Sequence, residues 1–321
     1  MRYGYIGGLD KPVSRIVLGT TAIDAGDQSR SDALLDAAWA AGITAFDTAL
    51  VYPNGGEIAL GRWLRSRGII DQAVVITKGA HHDAHRRRVT PEDIQADCRQ
   101  SIDRLGTGCI DLYLLHRDDP AVPVGEIVDA LHSLQAAGMI RIFGGSNWTA
   151  ARLAEANAYA ASRGWDGMRA SSPHYALGVQ QADLWGGGVS ITGDAGAADR
   201  AYYRQTGMPV LAYSPLCHGV LSGKWRAEEA ARMQREIDDF ARRGYFCKEN
   251  LARLRRCEQL AAAKGTTVAT VALAWLMHQM ENVFAVAGAS RPERAAQLAE
   301  ATALALTAEE VCWLSTGEEN A

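Results

Sequence analysis

Four residues carry side chains that could together perform acid–base chemistry: Asp47, Tyr52, Lys78 and His116. Asp47, Lys78 and His116 each directly follow a short apolar run of the kind that forms a buried strand, and Tyr52 lies five residues beyond Asp47. A carboxylate, a phenol, an amine and an imidazole at three successive strand ends suggest one catalytic centre for proton transfer.

Three of these side chains also have an ordinary structural explanation. Asp47 could cap a turn, Lys78 could be a solvated strand end, and His116 could be a core histidine with satisfied hydrogen bonds. Such an explanation of all four residues requires four independent coincidences at neighbouring strand ends. Barrel enzymes keep their active sites at strand ends, so we favour the shared site.

Eight short apolar runs predict buried strands, and amphipathic segments alternate with them. The runs cover residues 16–18, 43–46, 74–77, 112–115, 141–145, 168–172, 210–213 and 283–287. Strands that alternate with helices imply a parallel sheet, and eight such strands close a barrel. The sequence therefore predicts an α/β protein with a (β/α)8 TIM barrel, in which residues 1–321 form a single domain.

The amphipathic segments supply the helices of this alternation. They cover residues 29–41, 57–67, 91–105, 124–137, 149–163, 198–206, 251–280 and 292–303. Thr90 and Thr149 suit the N-cap positions of two of these helices, and Gly138 suits the C′ position of a third. The predicted helices therefore have start and stop signals that agree with their periodicity.

Three segments fall outside the alternation. Residues 2–14 predict a β-hairpin ahead of the first barrel strand. Residues 174–200 are rich in Gly and contain Trp185, and residues 216–246 hold charged, helical-looking sequence. Loops of this length are usually functional or disordered. In a barrel we expect both to overhang the C-terminal face, where the active site lies.

The composition is that of a soluble globular protein and excludes several partners. Of the 321 residues, 48% are hydrophobic and 22% are charged, and the net charge of −4 is spread along the chain. The sequence has no basic stripe of the kind that predicts nucleic-acid binding. It also has no apolar stretch that approaches the ~20 residues needed to span a bilayer. The six cysteines show no CxxC pair and no zinc-site spacing, so we expect reduced thiols in a cytoplasmic protein.

Motifs at the predicted strand ends resemble those of the aldo-keto reductase superfamily. They are Asp47-Thr48-Ala49 with Tyr52, Thr77-Lys78, Leu115-His116, Gly144-Gly145-Ser146-Asn147, Tyr213-Ser214-Pro215-Leu216 and Gly288-Ala289-Ser290-Arg291-Pro292-Glu293-Arg294. Each motif alone is weak, but six in the right order form a specific signal. The resemblance runs from about residue 3 to 303 and implies a TIM barrel that reduces an aldehyde or ketone with NADP(H).

The roles that the resemblance implies agree with the chemistry. Reduction of a carbonyl by a nicotinamide needs a hydride donor and an acid that protonates the developing alkoxide. A free tyrosine has a pKa of about 10, and a nearby ammonium favours its phenolate form. We assign Tyr52 as the general acid and Lys78 as the cation beside it. Asp47 then holds Lys78, and His116 orients and polarises the carbonyl.

The resemblance also implies where NADP(H) binds. No GxGxxG motif follows a strand, so strand ends and the last helix must hold the cofactor. The expected contacts are Gly19, Thr20, Asp47, Ser146, Asn147, Ser172, Tyr213, Ser214, Leu216, Gly219, Lys224, Gly288, Ser290, Arg294 and Gln297. Tyr213 should stack on the nicotinamide. Arg294 and Lys224 are candidates to bind a 2′-phosphate, which favours NADP(H) over NAD(H).

Two cofactor positions depart from the family pattern, and two have structural alternatives. Ser172 stands where the family has a Gln that reaches the nicotinamide amide, and Leu298 stands where it has an Asn for the adenine. Arg294 could instead form a surface ion pair with Glu293, and Tyr213 could be an ordinary buried strand tyrosine. These four positions therefore test the cofactor assignment.

The substrate should lie above Tyr52 and His116, and the candidate walls are His81-His82, Arg117-Asp118-Asp119, Trp148 and Trp185. Histidines and acids near the mouth favour a hydroxylated carbonyl compound such as a sugar or cyclitol derivative. The histidine cluster that begins at His81 invites a metal site, but loop histidines lack a fixed presentation and this chemistry requires no metal. We therefore expect none. The oligomeric state does not follow from the sequence.

Two other functions remain compatible with the same residues. The fold with a retained cofactor can serve as a non-catalytic, redox-sensing subunit, as in the potassium-channel β subunits of this superfamily. Those subunits keep the four residues, so the tetrad does not separate the two functions. A different barrel enzyme, such as a lyase or isomerase, is the third alternative.

Overall fold

A closed parallel barrel preceded by a hairpin forms the protein in a computed structural model, which describes residues 1–280 and 282–318. The hairpin pairs β1 (Tyr3–Gly4) with β2 (Val13–Ser14) in antiparallel fashion. The eight barrel strands are β3 (Ile16–Gly19), β4 (Ala45–Asp47), β5 (Val74–Gly79), β6 (Ile110–Leu115), β7 (Ile140–Ser146), β8 (Ala170–Ser172), β9 (Val210–Tyr213) and β10 (Val283–Gly288). Each pairs with the next, and β10 closes on β3, which confirms the predicted (β/α)8 barrel and hairpin.

The barrel strands are apolar on both faces because both faces are covered. All residues of β5 and β6 are buried. One hydrophobic layer fills the barrel interior, and a larger one lies between the strands and the helices. Ile6, Leu9 and Val13 from the hairpin segment join the interior layer, so the hairpin covers one end of the barrel.

Helices form the outer layer of the molecule. They are α1 (Gln28–Ala40), α2 (Gly56–Arg67), α3 (Pro91–Leu105), α4 (Val124–Ala136), α5 (Ala150–Ser162), α6 (Ala197–Thr206), α7 (Ala230–Glu236), α8 (Asp239–Tyr245), α9 (Lys248–Lys264), α10 (Val268–Met277), α11 (Pro292–Leu298) and α12 (Ala308–Thr316). Thr90 accepts a hydrogen bond from the backbone N–H of Asp93, and Thr149 accepts one from that of Arg152, which confirms both predicted N-caps. Gly138 follows α4 with φ +70°.

The prediction of one helix over 251–280 was wrong. Gly265, with φ +63°, ends α9, and the Thr267 side chain caps α10. The two helices meet at a bend of 100°. Among the described residues, no single helix is long and apolar enough to cross a membrane. The bent pair of α9 and α10 reaches the required length and composition only when the two helices are counted together.

The end of the chain also differs from the prediction. The segment predicted as a helix over 292–303 divides into α11 and a 3-10 turn at Ala299–Thr302. The sequence predicted no element beyond it, whereas α12 follows and begins with a reciprocal capping box between Thr307 and Glu310. The apolar periodicity of so short a helix is weak, and the capping pair was the available signal.

The two long segments leave the C-terminal ends of β8 and β9. Residues 174–200 are mostly irregular before α6, and residues 216–246 contain α7 and α8. Trp185 in the first segment contacts Phe240 in the second, with ring centroids 4.8 Å apart. The segments therefore meet each other over the face of the barrel that carries the strand ends.

Candidate active site

Asp47, Tyr52, Lys78 and His116 lie together at the C-terminal end of the barrel. The ammonium of Lys78 donates to Asp47 Oδ1 at 2.6 Å and to the Thr48 carbonyl at 2.8 Å, and it lies 3.4 Å from the Tyr52 hydroxyl. The Tyr52 and His116 rings are 6.0 Å apart, edge to face. The fold thus brings together all four residues that the sequence singled out.

Burial and charge act against each other in this cluster. Asp47 and Lys78 are 2% and 4% exposed. Burial lowers the pKa of the Lys78 ammonium, but Asp47 and Tyr52 more than offset it, so the pKa is raised. Burial raises the pKa of the Asp47 carboxyl, and Lys78 opposes that rise. With a hydrogen bond of 2.6 Å between them, we describe the two as an ion pair at neutral pH.

The Tyr52 phenol is protonated at neutral pH. Burial raises its pKa above 10, and the charge of Lys78 acts in the opposite direction but is outweighed. The sequence predicts the effect of the ammonium on this pKa, but it does not reveal the burial that outweighs it. A protonated phenol beside an ammonium is a proton donor held ready for an oxygen that gains negative charge.

Two histidines beside Tyr52 are neutral. Burial, followed by the charge of Lys78, lowers the pKa of His116 well below 6.5. Burial also lowers the pKa of His81, whose ring lies 4.8 Å from that of His116. His81 Nδ1 is 2.7 Å from the His82 carbonyl, which can only accept, so Nδ1 carries the proton and Nε2 is an acceptor. Within residues 1–280 and 282–318, no group of three or more ligand-type side chains is arranged to hold a metal.

A cavity of about 900 Å³ opens above the four residues. Most of the residues predicted to bind the cofactor line this cavity: Gly19, Asp47, Ser146, Asn147, Ser172, Tyr213, Ser214, Leu216, Gly219, Gly288 and Ser290. Thr20 is not among its lining residues and is buried beside Gly56. The predicted residues from β3, β4, β7, β8, β9 and β10 therefore surround one space.

A second cavity of about 390 Å³ shares Leu216, Ser222, Gly288 and Ser290 with the first. The shared lining makes the two cavities one elongated cleft that runs from Tyr52 to α11. The walls of its far end include three cations, an amide and an apolar side chain: Lys224, Arg291, Arg294, Gln297 and Leu298. A long, bent ligand with an anionic end matches this shape and charge.

The alternative for Arg294 is not found among the described residues. Arg294 forms no ion pair with Glu293 and instead donates to the Ser222 carbonyl at 3.0 Å, while it lines the far cavity. The ammonium of Lys224 lies 4.8 Å from the Trp225 ring centroid and faces the same cavity. Both predicted cations therefore point to one end of the cleft.

Asn147 is fully hydrogen-bonded within the protein. Its amide nitrogen donates to the His116 carbonyl at 3.3 Å and to Ser146 Oγ at 3.2 Å. Its oxygen accepts from the Tyr213 hydroxyl at 2.8 Å and from the Val189 backbone at 3.1 Å. Asn147 therefore braces Tyr213 against β7, and any ligand amide at this position would have to exchange one of these bonds.

Comparison with known proteins identifies the protein family. A sequence model of the aldo/keto reductase family matches residues 15–314. The chain belongs to the aldo/keto reductase family. Similar proteins include aldo-keto reductase YhdN of Bacillus subtilis, 29% identical over 100% of this chain and 94% of the relative. Aldo-keto reductase str7 of Strobilurus tenacellus is 28% identical over 87% and 78%, and the uncharacterised oxidoreductase YrpG of Bacillus subtilis is 28% identical over 86% and 83%.

Membership of the aldo/keto reductase family implies an oxidoreductase that uses NAD(P)H. The cleft fits such a group. Asp47 Oδ2 is buried, and among the described residues it has no hydrogen-bond partner, although Asp47 lines the main cavity. A ribose hydroxyl could donate to it. The 900 Å³ and 390 Å³ spaces also continue into each other, which suits a dinucleotide with two separated ends.

One predicted substrate residue does not face the cavity. Trp148 is fully buried, and its indole N–H donates to the Arg117 carbonyl at 3.3 Å. The backbone of Asn147 has φ +59°, and the Trp148 ring packs against Gly145 behind the site. The prediction that Trp148 forms a substrate wall was therefore wrong. His81 and Trp185 do line the cavity.

Arg117, which the sequence offered as a substrate wall, lines the main cavity of the aldo/keto reductase cleft. His218 and Asp238 also line it, and the sequence did not single them out. His218 and Asp238 lie in the long segment after β9, and His218 Nδ1 is 3.6 Å from Asp238 Oδ2. His218 also has a left-handed φ of +51°. Non-glycine residues rarely adopt this conformation, and those that do are often found at functional sites. No local sequence pattern predicts it here.

Proposed function

We propose that the protein is an NADP(H)-dependent reductase that converts an aldehyde or ketone into the alcohol. The observation that carries this proposal is the chain of contacts from Asp47 through Lys78 to the Tyr52 hydroxyl, at 2.6 and 3.4 Å. It ends in a cavity that His116 also lines. This arrangement presents one proton donor and a second polar group to the same oxygen, which is what carbonyl reduction requires.

Each residue of the site has a separate role in this reaction. A nicotinamide held in the cleft would supply the hydride to the carbonyl carbon. Tyr52 gives its phenolic proton to the carbonyl oxygen as negative charge develops there. Lys78 stabilises the phenolate that remains, and Asp47 holds the ammonium in place. Neutral His116 donates a hydrogen bond to the same oxygen, which orients the carbonyl and polarises it.

The far end of the cleft favours NADP(H) over NAD(H). Arg294 and Lys224 line this end together with Arg291. Among the described residues no acid forms an ion pair with these cations, and a 2′-phosphate would supply the anion. The arginine fork binds a phosphate through parallel hydrogen bonds. Gln297 stands beside them for the adenine, and Leu298 can contribute only apolar contact.

A hydroxylated carbonyl compound, such as a sugar or cyclitol derivative, suits the substrate side. The Nε2 atom of His81 is an acceptor on the cavity wall, and it can take a hydrogen bond from a substrate hydroxyl. Trp185 offers an apolar face in the same cavity. Since all six cysteines are free thiols, we place the reaction in the reducing environment of the cytoplasm.

The direct test follows NADPH absorbance with purified protein and a panel of aldehydes, ketones and sugar-derived carbonyl compounds. We expect turnover that falls at least about 100-fold in Tyr52→Phe, because the acid is lost while the ring remains. Unchanged turnover in that variant would refute the role of Tyr52. Tight NADPH binding without turnover on any carbonyl compound would favour a redox-sensing subunit, and absence of nicotinamide binding would favour a different barrel enzyme.

A further inference from the structure

Arg117 is a buried cation whose hydrogen bonds are incomplete. Its side chain is on a residue only 4% exposed. A guanidinium carries five N–H donors. One Nη donates to the His116 carbonyl at 3.4 Å and the other to the Trp185 carbonyl at 3.2 Å, while Nε is buried and has no partner among the described residues. Three donors therefore remain for something else.

No carboxylate forms an ion pair with Arg117 within the described part of the chain, since no Asp or Glu oxygen lies within 4.0 Å of the guanidinium. Other arginines with little exposure behave differently: the buried Arg253 pairs with Glu249 at 2.8 Å, and the partly buried Arg152 pairs with Asp118 at 3.1 Å. A buried ion without a counterion is strongly destabilising. Arg117 is therefore an exception that needs a physical reason.

Asp183 on the overlying segment acts electrostatically on Arg117, but its oxygens already have other partners. Asp183 accepts from the backbone N–H groups of Trp185, Gly187 and Gly188 at 2.5 to 3.1 Å. These bonds fold the turn that carries Trp185 over the cavity. Asp183 contributes to the electrostatic environment of Arg117 but forms no ion pair with it. The guanidinium stays available to a ligand.

Arg117 lies beside the reacting centre. It lines the same cavity as Tyr52 and His116. After burial and the charge of Lys78, the charge of Arg117 is among the causes that lower the pKa of His116. It also acts on the pKa of Tyr52 in the same direction as Lys78, against the effect of burial. An anion bound at Arg117 would therefore be close to the carbonyl that Tyr52 protonates.

We propose that Arg117 binds a carboxylate of the substrate, so that the preferred substrate is an oxo acid, an aldehyde or ketone that carries a carboxylate on the same small molecule. This inference rests on the proposed carbonyl reduction and names its substrate class. A planar carboxylate can accept two parallel hydrogen bonds, and one guanidinium has enough N–H donors left to supply them. A phosphate dianion fits less well, since Lys78, the other Lys or Arg among the described lining residues, is already paired with Asp47.

The competing explanation is that Arg117 only fastens the Trp185 turn. The Trp185 ring also packs against Phe240, with centroids 4.8 Å apart, so the turn has a second attachment. A fastening role would make Arg117 substitutions affect every substrate alike. Binding of a carboxylate makes the effect depend on the charge of the substrate, and this difference separates the two explanations.

The experiment compares 4-oxobutanoate with its methyl ester, which presents the same aldehyde without the negative charge. We expect the wild type to prefer the acid by at least about tenfold in kcat/KM, mainly through KM, because a charge-assisted hydrogen bond is worth that much. Arg117→Met should remove the preference, and Arg117→Lys should restore part of it. Arg87→Met removes an exposed arginine that pairs with Asp119 and should leave the ratio between the substrates unchanged.

A second readout does not require turnover. Calorimetry on the complex with NADP+ should show succinate binding more tightly than succinamide, with the difference lost in Arg117→Met. If neither aldehyde reacts but succinate still binds through Arg117, carbonyl reduction fails and the carboxylate site stands. Equal losses on acid and ester in Arg117→Met, or a wild type without preference and without succinate binding, would overturn the carboxylate site.

Discussion

Lys78 can remain charged inside the protein because Asp47 lies 2.6 Å away. Replacement by methionine keeps the length of the side chain but leaves Asp47 buried without its counterion. We expect Lys78→Met to lose at least about 100-fold in kcat, since the phenolate of Tyr52 is no longer stabilised, and to unfold at a lower temperature. The measurements are kcat at saturating NADPH and Tm.

Lys224→Met is the matched control for this prediction. Lys224 lies at the far end of the cleft and not beside Tyr52. Its loss should raise the KM for NADPH and leave kcat at saturation close to that of the wild type. A Lys78→Met protein with normal kcat would contradict the assigned role of the ammonium.

The pKa shifts of Tyr52 and His116 predict a flat pH profile near neutrality. The pKa of Tyr52 is raised, so its proton is present at lower pH and is lost only as pH rises above about 10. The pKa of His116 is lowered, so its neutral form is lost only as pH falls well below about 6.5. We therefore expect kcat/KM for reduction to stay constant from about pH 7 to 9. An inflection within that range would show that one of these directions is wrong.

The residue types of the site could be predicted, whereas the directions of some side chains could not. Strand ends converge in a barrel, and this alone placed Asp47, Lys78 and His116 together. Trp148 also lies just after a strand end, but its side chain is buried in the core and not in the cavity. The residue before it, Asn147, has a left-handed backbone conformation. Arg117 was visible in the sequence, but its missing counterion is a property of three-dimensional packing.

At the scale of elements, α2 and α3 approach each other through a glycine. A Cβ atom on Gly61 would overlap the Leu105 carbonyl at the end of α3. Backbone atoms cannot move aside as a flexible side chain can, so Gly61→Ala must push the helices apart. We expect it to lower the free energy of unfolding by about 1–3 kcal/mol, measured by urea denaturation.

Gly108→Ala serves as the control, since an added Cβ there meets nothing within 4 Å and its φ is not left-handed. Its free energy of unfolding should match that of the wild type within about 0.5 kcal/mol. Equal stability of Gly61→Ala and Gly108→Ala would show that the two helices are not held at the described separation.

Strands were easier to predict than helix boundaries. Continuous apolar runs such as β5 and β6 alternate with amphipathic segments along the chain, and a run in that setting is best explained as a buried strand. The boundary between α9 and α10 was missed because apolar periodicity continues on both sides of it. The Gly265 and Thr267 signals for a stop and a new start were present, and they outweigh periodicity when they occur together.

At the scale of the whole molecule, the barrel supplies a rigid set of strand ends, and the two long segments close over them. Trp185 from the first segment contacts both Tyr213 of β9 and Phe240 of the second, at 5.3 and 4.8 Å between centroids. The cleft between Tyr52 and Arg294 is therefore bounded by parts of the chain distant in sequence. A ligand that fills it must stabilise the folded protein as a whole.

The proposed cofactor preference can therefore be measured as stability. NADPH at about 100 times its Kd should raise the free energy of unfolding by about 2.7 kcal/mol, and NADH at the same concentration should raise it by less. Arg294→Met should reduce the increase in Tm caused by NADPH and leave that caused by NADH nearly unchanged, because only NADPH carries the 2′-phosphate. Arg99→Met, on the exposed surface of α3, should behave as the wild type with both cofactors. If NADPH and NADH raise the Tm of the wild type equally, Arg294 and Lys224 do not bind a 2′-phosphate, and the far end of the cleft recognises only what the two cofactors share.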